Sequence, residues 1–205
     1  REGSYLRGVV QEYGLDRNVG RGRIYRLVHD DFKPGPRPRM LDESTAQLVS
    51  HLAHPNGWWR DTAQKLIVLR GDLSVVRDLR AMMTSHHMPL ARNHAMWTLE
   101  GLGKLEPADV IARLSDTDAQ VRASAIRAGE QFLSESFHQG VVDSFFAMVT
   151  DRDESVLLQL LRSALYTQLV GHEPLVESIV TSHPDNCAIT QTAKVYFDRI
   201  EKAQR

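Results

Sequence analysis

The chain has 205 residues, 42% of them hydrophobic and 25% charged, so it is long enough to bury a sizeable core and unlike a disordered chain. Residues 1–39 carry nine basic and five acidic side chains, whereas residues 40–205 carry 16 basic and 21 acidic ones. This acidic balance argues against a nucleic-acid partner, because a groove for nucleic acid needs basic side chains to neutralise phosphates.

Two further classes of structure are disfavoured by composition. Cys187 is the single cysteine, which excludes an internal disulfide and a cysteine-based zinc or haem site. No apolar run approaches the length of a transmembrane helix, so we predict no membrane insertion. The first residue is Arg1 and not a methionine, and we expect the chain to be a piece of a longer protein.

The first 41 residues differ in pattern from the rest. Residues 4–13 predict a short helix that ends at Gly14. Residues 20–29 alternate like a single strand, which needs a partner strand because its backbone groups must be hydrogen-bonded. Residues 33–39 (KPGPRPR) predict an extended linker. We therefore predict the end of a preceding domain over 1–32, a Pro-rich linker over 33–41 and a second domain over 42–205.

The second domain contains a repeat. The segment 54–69 (HPNGWWRDTAQKLIVL) recurs in weaker form, and alignment on Arg60, Arg92, Arg122 and Leu157 gives steps of 32, 30 and 35 residues. A period of this length with two helices per unit indicates a helical solenoid. We predict an all-α fold of about five helix pairs, which cover 42–53 with 58–70, 74–85 with 89–102, 107–114 with 118–133, 137–149 with 154–169, and 174–182 with 186–203.

Four side chains are candidate contacts with a partner: Trp58, Arg60, Arg92 and Arg122. Adjacent helix residues point about 100° apart, so we assign Trp59 to the core and Trp58 to the edge between repeats or to a partner. The three arginines occupy one position of successive repeats. They either form ion pairs with Asp61, Asp118 or neighbouring units, or line a concave surface for an anionic partner.

No candidate catalytic or cofactor site emerges from the pattern. The histidines at 51, 54, 86 and 87 have no third ligand in register with them, so we predict no metal site. The sequence also contains neither a nucleophile elbow nor a phosphate-cradling glycine loop. We therefore predict that this segment is not an enzyme and holds no cofactor.

The spacing of Asp118, Val121, Arg122 and Ala125 resembles the second helix of HEAT repeats, which stack into a right-handed α-α superhelix. The resemblance implies that the Asp and Arg form ladders between successive turns. The fourth unit has Leu157 at the arginine position, where it departs from the pattern.

The segments GRGRIYRL (20–27) and HPNGWWRDTAQ (54–64), on either side of the Pro-rich linker, are similar to multidomain proteins of planctomycetes and their relatives. That family joins a sugar-dehydrogenase-like β-propeller to HEAT repeats and a cytochrome c domain. The resemblance implies that 20–29 is the last propeller strand and that the protein is periplasmic or otherwise extracytoplasmic. The propeller's catalytic residues and the haem motif have no matching positions here, so no catalytic role transfers to this chain.

These observations predict a non-catalytic HEAT-repeat scaffold. Its partner is a protein, either a neighbouring domain of a larger redox protein or a separate chain. Two alternatives remain open, a HEAT-like enzyme similar to DNA glycosylases or bilin lyases and a stand-alone adaptor.

Overall fold

A computed structural model of the chain describes residues 5–18, 20, 27, 29–33, 35, 38–134, 138–167 and 172–204. Its contacts divide the chain into two compact units, Arg1–Pro38 and Arg39–Arg205. In the first unit, helix α1 spans Tyr5–Glu12 and is followed by Gly14, whose φ of 61° is a left-handed conformation that favours glycine. A 3-10 turn follows at Leu15–Asn18. Most of the predicted strand 20–29 lies outside the described residues.

The second unit confirms the all-α prediction, because all regular secondary structure in the described residues is helical. None of the described helices is both long and apolar enough to cross a bilayer. The helices are α2 (Thr45–His51), α3 (Gly57–Arg70), α4 (Val76–Ser85), α5 (Pro89–Gly101), α6 (Pro107–Arg113), α7 (Ala119–Gly129), α8 (Gln131–Ser134), α9 (Gln139–Ala147), α10 (Glu154–Thr167), α11 (Glu173–Ser182) and α12 (Cys187–Gln204).

Consecutive helices pack as pairs: α2 with α3, α4 with α5, α6 with α7, and α11 with α12. In the fourth unit, α9 continues into a 3-10 turn (Met148–Thr150) that contacts α10. The second helices of the units, α3, α5, α7, α10 and α12, contact one another in succession. Each helix pair therefore packs on the next one along the chain.

The second helices begin at polar caps that the sequence supplies. The side chains of Asn56, Asp118 and Asn186 each accept a hydrogen bond from a backbone N–H in the first turn. Pro89 starts α5, where its missing N–H costs no helical hydrogen bond. These caps fix where each turn between helices ends.

Small residues allow the second helices to approach closely. Ala63, Ala95, Ala125 and Ala193 stand seven residues after the cap position of their helices, and each is at most 3% exposed. Because these side chains end at Cβ, the neighbouring backbones pack near one another. The core continues without a break from Met40 to Tyr196.

Candidate functional site

The three repeated arginines hold the turn in front of their own helix. Each follows the cap position by four residues, and its Nη1 donates to two backbone carbonyls of the preceding turn. The acceptor distances are 2.7 and 2.9 Å from Arg60 to His54 and Pro55, 2.8 and 3.3 Å from Arg92 to His86 and His87, and 2.9 and 3.4 Å from Arg122 to Asp116 and Thr117.

Two of these arginines also bind an aspartate of the next helix pair. Arg92 reaches Asp116 through Nε–Oδ2 (2.8 Å) and Nη2–Oδ1 (2.5 Å), and Arg122 reaches Asp151 through the same atoms at 2.7 and 2.8 Å. All four side chains are at most 9% exposed. We call each such bidentate ion pair a rung. The rungs join the second helix pair to the third and the third to the fourth.

Both aspartates of the rungs are held in the ionised form. Burial alone raises the pKa of Asp116 and of Asp151, but hydrogen bonds from Arg92 and Arg122 and from the backbone outweigh it and bring both pKa values below the usual range. Conversely, the hydrogen bond to Asp151 raises the pKa of Arg122. The rungs therefore stay charged throughout the physiological pH range.

The first helix pair lacks a rung of this kind. Where the third and fourth pairs have Asp116 and Asp151, the second pair has His86. The Nδ1 of His86 accepts the N–H of Met88 at 3.1 Å, just as Asp116 Oδ1 accepts the N–H of Asp118 at 3.0 Å. The turn is therefore preserved without a carboxylate. The Nε of Arg60 is buried and finds no hydrogen-bond partner in the described part of the chain.

Arg92 and Arg122 pair with aspartates of neighbouring units, which was one of the predicted alternatives, but not with Asp61 or Asp118. Asp118 caps α7, and the Asp61 side chain is 75% exposed, with its nearest basic group being His94 at 3.9 Å. The pairing aspartates, Asp116 and Asp151, lie two residues before the caps of α7 and α10. The sequence carries a signal for them in the repeated Asp-x-Asp of 116–118 and 151–153.

The four candidate partner contacts fall into two groups. Arg92 and Arg122 are buried in rungs, so their guanidinium groups face the interior and correspond to the ion-pair alternative. Arg60 is partly buried. Trp58 is 54% exposed, and Trp59 packs against the core with its ring stacked on His54 at a centroid distance of 4.8 Å.

The histidines singled out in the sequence have other partners. The Nε2 of His51 lies 2.7 Å from a carboxylate oxygen of Glu43, and the rings of His86 and His87 stack with centroids 4.6 Å apart. No group of three potential metal ligands occurs among the described residues.

An open groove of about 490 Å³ lies near the C-terminal ends of α5, α7 and α10. The guanidinium of Arg127 stands 4.9 Å from the ring centroid of Tyr166 and donates to Glu130. Glu130 is only 6% exposed and also accepts a 2.6 Å hydrogen bond from Ser163. The groove is lined by Trp97, Glu100, Arg127, Ala128, Glu130, Gln131, Tyr166 and Thr167.

Sequence analysis did not single out this groove. Its residues come from separate repeats, and only the packing of α5, α7 and α10 brings them together. The one local signal is the spacing of Arg127 and Glu130, which lie three residues apart and so share a helix face.

The packed helix pairs and buried rungs define an all-α protein in which Arg–Asp ion pairs join the second, third and fourth units. Comparison of the chain with protein-family models and with curated proteins gives no match.

Proposed function

We propose that this chain is a non-catalytic HEAT-type scaffold that holds neighbouring domains or a partner protein. The observation that carries the proposal is the pair of rungs, Arg92–Asp116 and Arg122–Asp151. A buried bidentate ion pair tolerates little displacement, because removing one partner leaves an uncompensated charge at a cost of about 3–5 kcal/mol. Three successive helix pairs are thereby held at fixed positions, as a docking frame requires.

The electrostatics of the rungs also favour a structural role. A general acid or base works best when its pKa lies near the operating pH. Here the environment moves the pKa values of Asp116 and Asp151 down and that of Arg122 up, away from neutrality. These shifts support a structural role for the rungs over a role in proton transfer.

By its resemblance, the parent protein is an exported redox protein in which this segment separates a propeller from a cytochrome c domain. The segment itself holds no cofactor under this proposal. The test is the intact mass and reduced absorption spectrum of the native protein. We expect a mass far above 23.2 kDa and a haem band. A mass near 23.2 kDa without haem would refute the multidomain context and favour a stand-alone adaptor.

Cross-linking of the native protein tests the scaffold role. The described surface of the second unit offers Lys65, Lys104, Lys194 and Lys202, all exposed. We expect cross-links from these lysines to other domains or chains, and fewer of them after Asp116→Asn, which disrupts one rung. An absence of cross-links beyond this segment would contradict the scaffold. Release of a base from damaged duplex DNA by the purified chain would instead support the enzyme alternative.

A further inference from the structure

The described residues that line the groove near the ends of α5, α7 and α10 include two glutamates, Glu100 and Glu130, and one arginine, Arg127. Arg127 and Glu130 pair and so neutralise each other, which leaves Glu100 as the remaining charged group among the described residues of the lining. Glu100 is exposed, and no cation in the described part of the chain pairs with it. A positively charged ligand therefore complements this groove better than a neutral or anionic one.

A partly buried aromatic ring, that of Trp97, lines the same groove as this carboxylate and packs against the core. Trp97 lies three residues before Glu100 on α5, so the two side chains share a helix face, and both line the groove. Tryptophan offers the strongest cation–π surface among the side chains. The same groove already holds such an arrangement, since the guanidinium of Arg127 lies over Tyr166 and pairs with Glu130.

We propose that the groove binds an extended segment of a partner protein through one arginine, whose guanidinium contacts the Trp97 ring and the Glu100 carboxylate. Arginine fits better than lysine, because its planar group stacks on an aromatic ring and donates two parallel hydrogen bonds to a carboxylate. A volume of about 490 Å³ is within the range of ligand pockets and accommodates such a side chain with its flanking backbone. The inference rests on the proposed function in that the partner is a protein.

The test uses the full chain and two peptides. The first is acetylated and amidated Gly-Ser-Arg-Ser-Gly, and the second has citrulline in place of arginine, which keeps the shape and removes the charge. Binding is followed by the NMR resonance of the Trp97 indole N–H. We expect the arginine peptide to shift this resonance, with affinity that falls as salt rises and that is roughly threefold to fivefold weaker for citrulline, as for one exposed ion pair.

Two variants locate the binding site. Glu100→Gln removes the exposed carboxylate and is expected to weaken binding of the arginine peptide by the same roughly threefold to fivefold. Glu177→Gln is the matched control, since Glu177 is an exposed glutamate on α11 outside the groove lining, and it should leave the affinity unchanged. Circular dichroism spectra of both variants confirm that the fold is intact.

Several results would overturn the inference. These are equal affinity for the citrulline peptide, an unchanged affinity in Glu100→Gln, or an equally strong shift by maltose, which would indicate a neutral ligand. Self-association of the chain that Glu100→Gln abolishes would show instead that a second copy occupies the groove. Cross-links to other domains without peptide binding would support the scaffold role and refute this binding site. Peptide binding without cross-links would support the binding site and contradict the scaffold role.

Discussion

Replacing His86 by aspartate should complete the missing first rung. The variant His86→Asp places a carboxylate at the position that Asp116 and Asp151 occupy in the next two helix pairs. The turn should survive, because each of those aspartates accepts the same N–H of the cap residue that His86 accepts now. Burial and the positive charges of His87 and Arg92 lower the pKa of His86. Burial opposes a charge of either sign, but a positive charge such as that of Arg92 favours a carboxylate at this position.

The expected gain follows from the groups that change partners. A buried donor without a partner, such as Arg60 Nε, costs about 1–3 kcal/mol, and a partly exposed ion pair adds up to about 1 kcal/mol. Loss of the stacking between the His86 and His87 rings destabilises the folded state by about 0.5–1.5 kcal/mol. We therefore expect a net stabilisation of about 1–2 kcal/mol, which raises the Tm of a domain of this size by about 2–8 °C.

Unfolding in urea, followed by circular dichroism, measures the effect in His86→Asp, Arg60→Met and the double variant. The gain should vanish in the Arg60→Met background, because the new carboxylate then has no Arg60 to bind. His87→Asp is the control, as it adds the same charge at the exposed neighbouring position. An equal gain with and without Arg60, or in His87→Asp, would refute the rung as the cause.

Gly129→Ala should lower the free energy of unfolding by about 1–2 kcal/mol, because the added Cβ would lie 2.9 Å from Phe145 Cζ. Gly140→Ala should be neutral or stabilising, because the nearest atom to its added Cβ lies 3.7 Å away. Urea unfolding of both variants measures the difference. Ala125→Leu should lower the free energy of unfolding by about 1–3 kcal/mol, because Ala125 is fully buried, and an unchanged Tm would contradict this packing. Burial lowers the pKa of His172 in the folded chain. As the pH falls through about 6.5, the unfolded chain therefore binds more protons than the folded chain does, and the free energy of unfolding decreases. His172→Phe should therefore lose less stability than the parent between pH 7 and 5, and equal losses would exclude His172 as a source.

The helix pairs could be predicted because their signals are local. Each helix pair occupies about 30 residues of sequence, and its caps, turn residues and apolar spacing all lie within that stretch. Together they predict two helices. The common register of Arg60, Arg92 and Arg122 was also visible, and it placed these side chains at equivalent positions of α3, α5 and α7.

The partners of those arginines could not be assigned with the same certainty. A rung joins residues 24 or 29 apart in different helix pairs, and several aspartates lie within reach by sequence alone. The choice of Asp116 over Asp118 depends on the turn, in which one carboxylate faces the preceding pair and the other caps its own helix. The groove was missed for a similar reason, since Trp97 and Tyr166 meet only through the packing of α5, α7 and α10.

The uneven distribution of rungs has a mechanical consequence. Ion pairs clamp the second, third and fourth helix pairs, whereas His86 and the apolar Leu157 interrupt the series on either side. When force is applied to the two ends, the outer pairs should peel away first and the clamped centre should yield last. Under the proposed scaffold role, the chain would act as a spacer whose centre is stiffer than its ends, so that domains attached to it could reorient while the central span keeps its length.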